Sequence, residues 1–219
     1  MGLRMFSLRK ANKKSAELEF WKDRHREEGV LDHGHYERFY TSIFGLTQES
    51  YDGKRILDIG CGPRGSLEWA NRAADRIGLD PLAQEYKKLG TDKHQMTRVN
   101  ARSDKIPFPD GYFDVVASFN SLDHVDELER TIQEIIRVTR RSGVFLLIVE
   151  INHPPTQTEP ISLKLDSVLG AFASGFTVNR SWCCAMLPEQ HDIYGSVLAN
   201  KPPVSGDSPA VLCALLARN

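Results

Sequence analysis

Residues 54–65, Lys-Arg-Ile-Leu-Asp-Ile-Gly-Cys-Gly-Pro-Arg-Gly, constrain the fold more than any other stretch. Ile56, Leu57 and Ile59 make a short apolar run rich in β-branched residues, the pattern of a strand buried on both faces of a parallel sheet. Gly60, Cys61 and Gly62 then break it sharply. Without a Cβ in the way the backbone can turn tightly and present main-chain N–H groups to a ligand. A helix expected over 66–74 would add its positive end. Gly60, Gly62 and Gly65 also satisfy the G-x-G-x-x-G dinucleotide spacing. Asp58 argues against that reading, because a carboxylate at the strand tip repels a pyrophosphate and suits a cationic ligand.

A second strand is expected over 75–80, ending at Asp80, 22 positions after Asp58. That is near the roughly 20 residues between a glycine turn and the acid that accepts hydrogen bonds from ribose hydroxyls in doubly wound folds. Asp80 therefore supports a nucleoside cofactor without choosing which. Pro81 starts and Gly90 ends a predicted helix, and a third strand follows over 95–99. The stiff, turn-rich segment 106–114, Ile-Pro-Phe-Pro-Asp-Gly-Tyr-Phe-Asp, leads into a fourth strand over 115–119. Leu128, Ile132, Ile135 and Ile136 share one face of a helix expected to end near Gly143, its negative end met by Arg140 and Arg141. Residues 144–151 are almost wholly apolar and read as a fifth, buried strand.

The first glycine turn and segment 106–119 together closely resemble the class I S-adenosylmethionine-dependent methyltransferases, in particular the type 11-like group acting on small molecules, over about residues 54–151. The resemblance implies an α/β, Rossmann-like, doubly wound, mostly parallel seven-stranded sheet with helices on both faces and an antiparallel C-terminal strand. It implies S-adenosyl-L-methionine as cofactor, whose ammonium and sulfonium suit Asp58. By the same resemblance Asp58, Gly60, Cys61, Gly62, Asp80 and Pro81 hold the cofactor, Asn100 and Ala101 take the adenine place, and Phe119 and Asn120 lie along its methionine part. Asn100 departs from the family, which has an acid there; an amide oxygen still accepts a hydrogen bond, with less strength than a charged acceptor. Ser121 and Leu122 stand where nitrogen methylators carry two prolines, so nucleic-acid amino groups are not expected acceptors. A nicotinamide-dependent oxidoreductase and a degenerate, non-catalytic nucleoside-binding domain remain as alternatives.

His124 is a candidate base because its ring titrates near neutrality, although a histidine here also helps begin the next helix in the family; Asp126 or Asp123 is expected to cap that helix. His35 is the second candidate base, and His25, His35 and Tyr36 are candidate acceptor contacts. His33, His35 and Glu37 lie close in sequence, but the neighbouring Gly34 makes this a loop entering a helix, and no metal site is expected. In-line methyl transfer needs a base only when the acceptor is not already nucleophilic, so no catalytic residue is fixed.

With 219 residues the chain is read as a single domain: a helical N-terminal lid over 1–50, a cofactor-binding core over 51–151 and an acceptor-side half over 152–219. The tail is expected to hold a helix over 161–172 and closing strands over 176–187 and 209–218. A net charge of −1 provides no electrostatic footprint for nucleic acid or an anionic membrane. Four cysteines without C-x-x-C pairs fit a reducing, cytoplasmic setting, and no apolar run is long enough to span a bilayer. The expected partner is a small-molecule acceptor, with the oligomeric state left open.

Overall fold

The structure is a computed structural model that describes residues 2–187 and 192–219. Its strands are β1 (Arg55–Ile59), β2 (Asp75–Leu79), β3 (Thr97–Val99), β4 (Phe113–Phe119), β5 (Thr139–Ile151), β6 (Phe176–Ala185) and β7 (Ala210–Arg218). They form one sheet in the order β3-β2-β1-β4-β5-β7-β6, in which β7 runs antiparallel to both its neighbours and the other pairings are parallel. Chain direction switches sides between β1 and β4, and open α/β sheets bind ligands at such a switch point, beyond the carboxyl ends of the strands.

Side chains alternate across β1 because successive Cβ atoms point to opposite faces. Leu57 and Ile59 join one apolar cluster with Leu79, Phe113, Phe145 and Phe172. Ile56 joins the other, with Tyr40, Tyr51, Val115, Leu146 and Val197. The helices cover these faces: α1 (Gly2–Glu28), α2 (Glu37–Tyr40), α3 (Leu128–Val138), α4 (Leu165–Phe172) and α5 (Ile193–Ala199). No helix among the described residues is long and apolar enough to cross a membrane.

Several local expectations are corrected. Residues 66–74 form successive tight turns in place of a helix, with the Glu68 amide donating to Gly65, Ala70 to Leu67 and Ala73 to Ala70. Buried Leu67 and Ala70 are three residues apart, which suits three-residue turns, and Ser66, Trp69 and Asn71 are middling helix formers. After Pro81 there are likewise turns and a 3₁₀ segment, Glu85–Leu89, closed by Gly90 in the left-handed region. Helix α3 stops at Val138, and Arg140 and Arg141 belong to β5, where the Arg140 guanidinium bonds the Asp114 carboxylate at 2.5 Å. Neither Asp123 nor Asp126 caps α3; its N-cap position is Glu127, without a side-chain bond. The third strand is confined to Thr97–Val99, and α5 appears where the sequence reading has only a connection.

Candidate functional site

A cavity of about 960 Å³ opens at the carboxyl ends of β1, β2 and β4, beneath α1. It lies at the roomy end of the about 300–1,000 Å³ of small-molecule and cofactor sites. Asp58, Gly60, Cys61, Gly62, Asp80, Pro81, Phe119 and Asn120 line it, as do His35, Tyr36 and His124. Asn100 and Ala101 do not. The Ala101 amide turns back to the Val99 carbonyl at 3.1 Å as β3 ends, and both residues line a smaller adjoining cavity of about 670 Å³ with Lys14, Arg102, Lys105 and Arg130. His25 is not among the lining residues.

The glycine turn is built by packing as much as by flexibility. Gly60 has φ +71°, and a Cβ there would lie 2.4 Å from the Ser121 Cβ. Ser121 is pinned, its hydroxyl donating to the Ile59 carbonyl and sharing a 2.7 Å bond with Ser118. Gly78, inside β2, leaves room for Cys61, whose Sγ would be 2.6 Å from an added Cβ, the close approach that a strand glycine marks. Asn120 sits at φ 50° with its amide oxygen buried and unbonded, a strained, unspent acceptor facing the cavity.

Two buried carboxylates flank this turn. Asp58 accepts a short hydrogen bond from the Ser66 hydroxyl, and burial pushes its pKa up to about 6 despite the nearby Arg98. Asp80 accepts from the Gly62 amide at 3.1 Å and the Leu82 amide at 2.8 Å, so it braces both glycine turn and Pro81 turn; burial raises it too to about 6. Arg98 donates to the Gly62 carbonyl, adding a third strut from β3. Burial also raises the Cys61 thiol, leaving it protonated and unsuited as a nucleophile.

Aromatic rings close the other side. Phe119 packs against Tyr40 with the rings tilted and their centroids 4.6 Å apart, and Tyr194 of α5 meets Tyr36 edge-on at 5.6 Å. Burial holds the Tyr36 hydroxyl up to about 12 and that of Tyr194 well above its usual value, so both remain neutral hydrogen-bonding groups. Trp21 of α1 packs over the turn, 3.2 Å from where a Gly62 Cβ would be, and Arg64 grips Glu28 at the end of α1 with bonds of 2.7 and 2.5 Å.

The two candidate bases differ. Burial and the Arg64 charge hold His35 below its ordinary pKa, neutral at pH 7. Burial pulls His124 down as well, but Glu159, Asp123 and Glu17 outweigh it and hold its pKa above the ordinary value. His33, His35 and Glu37 do not gather into a cluster. Among the described residues one group of three can converge on an ion: Asp123, His124 and Glu159. Glu159, Ser66, Arg98 and Tyr194 are cavity or turn residues that sequence reasoning missed, whereas Trp21 belongs to the N-terminal segment read as a lid. Ser66, eight positions past Asp58 as the chain doubles back, had a local signal in its spacing; Glu159 and Tyr194 had none.

Residues 57–147 match the family model described as a methyltransferase domain. The chain is 27% identical over 165 residues to the demethylmenaquinone methyltransferase of Thermobifida fusca, covering 72% of this chain and 65% of that protein. It is 32% identical over 135 residues to the ubiquinone/menaquinone biosynthesis C-methyltransferase UbiE of Stutzerimonas stutzeri, covering 57% and 51%. The chain spans about two fifths to two thirds of the length of the first curated relatives it matches. A solved S-adenosylmethionine-dependent methyltransferase from Mesorhizobium loti shares the fold with a TM-score of 0.60 at 19% identity, covering 84% of this chain and 99% of that one.

Proposed function

The chain belongs to the class I S-adenosylmethionine-dependent methyltransferases, and from that premise we propose that it methylates a small molecule seated beneath α1. The observation that carries this reading is the buried Asp58 carboxylate, opening onto the cavity beside a glycine turn. A carboxylate so far removed from water is costly unless a cationic ligand completes it. The residues present fit the family's cofactor: Asp58 would hold an ammonium, the 60–62 backbone would face the ligand, and Asp80 would take the ribose hydroxyls. Asn120, with its unbonded amide oxygen, offers a further acceptor. Pro81, Leu82 and Ser103 border the same cavity and would bound the adenine end, with Asn100 and Ala101 in the adjoining one. When bound, the cofactor supplies a methyl group on a positively charged sulfur.

NAD fits less well, because its pyrophosphate would face two buried carboxylates at the turn. The protein's own task is to hold the acceptor in line and keep water out, which accounts for much of the acceleration in such a transfer. Helix α1 acts as the lid, latched by Arg64 and Glu28, with Trp21 closing over the glycine turn. Neutral His35, at the cavity wall, fits a proton acceptor better than His124.

The acceptor is a planar aromatic alcohol. Phe119, Tyr36, Tyr40, Trp21 and Tyr194 supply flat apolar walls, and two of the relatives are named for methylation in menaquinone and ubiquinone formation. Incubation with methyl-labelled cofactor and 1,4-naphthalenediol tests this. Label in the naphthol supports the assignment. Cofactor binding with no transfer to naphthols or simple phenols refutes the acceptor class.

A further inference from the structure

On the acceptor side of the cavity, four separate segments bring charged groups together. Asp123 follows β4, His153 follows β5, Glu159 lies in the loop before α4, and Glu17 comes down from α1. His124 is at their centre, with Nε2 3.5 Å from Glu159 Oε1 and Nδ1 3.9 Å from Glu17 Oε2. These separations exceed the about 2.7–3.2 Å of a good N–H···O bond. Asp123 has no exposed surface, and neither of its carboxylate oxygens makes a hydrogen bond; its charged neighbour is His153, whose Nε2 is 3.5 Å from Oδ2.

We propose that Asp123, His124 and Glu159 form a binding site for a first-row divalent cation, zinc or manganese, at the edge of the methyl-acceptor cavity. One ligand atom from each of the three lies within 4.8 Å of the others. Zinc bonds of about 2.0–2.2 Å set tetrahedral ligand atoms about 3.3–3.6 Å apart. The His124–Glu159 separation of 3.5 Å already has that value, and the remaining edges need to close by no more than about an ångström and a half. One imidazole with two carboxylates is a donor set that both zinc and manganese accept.

Charge and outer contacts agree. Three carboxylates, Asp123, Glu159 and Glu17, are gathered around the His124 ring, with the His153 ring 3.5 Å from Asp123 on the far side. Ligation takes the neutral imidazole of His124, and a divalent cation offsets carboxylates held this close together. His153 in turn is oriented by the Pro154 carbonyl, 2.9 Å from its Nδ1, and so fixes Asp123 from behind as outer partners of metal ligands do. His124 and Glu159 line the cavity, which leaves an open position directed at the acceptor. There the cation would take an ionisable oxygen, a phenolate or enolate, and the displaced hydroxyl proton would pass to water. This role, unlike the site itself, rests on the methyltransferase reading.

Tag-free protein would be stripped with chelator and titrated with zinc and with manganese by equilibrium dialysis, alongside Glu159→Gln and His153→Asn. One cation per chain at micromolar affinity is expected, weakened at least tenfold in Glu159→Gln and about 10–100-fold in His153→Asn. Absence of stoichiometric binding of either metal overturns the proposal, as does equal binding by wild type and Glu159→Gln. S-adenosylhomocysteine titrated into the same samples separates the two readings. Nucleoside bound without metal overturns the cation site alone; metal bound without nucleoside supports the site and overturns the cofactor assignment.

Discussion

Replacing Gly60 by alanine tests the most constrained point of the site. Two independent penalties apply. At φ +71° an alanine adopts a left-handed conformation that costs about 1–2 kcal/mol for an L residue. Its Cβ would also be 2.4 Å from the Ser121 Cβ and 2.8 Å from Oγ, and Ser121 cannot swing aside without breaking its bonds to Ser118 and the Ile59 carbonyl. Overpacking of this kind costs about 1–3 kcal/mol. The sum, roughly 2–5 kcal/mol, corresponds in a chain of this size to a loss of about 4–20 °C in Tm, read by calorimetric or circular-dichroism melting. Ser121→Gly removes the clash but leaves the φ strain, so the double variant should recover part of the loss, with a coupling of about 1–3 kcal/mol. Cofactor affinity should fall in Gly60→Ala because the strained turn moves the 60–62 amides. A Tm within a degree of wild type, or strict additivity in the double variant, would refute the geometry on which the site rests.

Asp58→Asn should separate stability from binding. A shift from 3.8 to about 6 corresponds to roughly 3 kcal/mol by which the buried carboxylate destabilises the fold at neutral pH. Because the folded pKa is the higher one, that penalty is absent below about pH 4, grows between about pH 4 and 6, and is fully present above the folded pKa. The unliganded variant should therefore melt higher than wild type at pH 7.5 yet bind S-adenosylmethionine at least tenfold more weakly, a trade-off common at functional sites. In wild type the affinity should drop about tenfold per pH unit below 6, as protons compete for Asp58, and Asp58→Asn should flatten this profile in a pH series of titrations. Arg64→Ala should loosen α1 by about 0.4–1 kcal/mol, giving about two- to fivefold faster amide exchange over residues 13–28 with the core Tm little changed; unchanged exchange would show that the Glu28 latch does not hold the helix.

The central sheet was readable because strand signals there are local. Ile56, Leu57 and Ile59 must be buried wherever they go, and Gly60 and Asp80 mark the strand ends, where Ser121 leaves no room for a Cβ and the Asp80 carboxylate ties the two turns together. The connections were less readable, since residues 66–74 and 81–90 are short enough for tight turns to compete with helix, and the anchoring of Leu67, Ala70 and Tyr86 in the core decides the outcome. The adenine role of Asn100 and Ala101 rests on the family resemblance alone, and the backbone turn at Val99 carries both residues into the neighbouring cavity. Glu159, His153 and Tyr194 reach the site through long-range closure of loops after β5 and β6, which no periodicity in the sequence encodes. His124 is visible as a titratable ring, but its raised pKa comes first from Glu159, remote in sequence, then from the adjacent Asp123 and from Glu17 on α1.

The most direct test of the account is calorimetric titration of the purified protein with S-adenosylmethionine, S-adenosylhomocysteine and NAD in parallel. The account predicts micromolar binding of both sulfur nucleosides, with stoichiometry of one per chain, and none of NAD. Binding of NAD alone, or of none of the three, would contradict it.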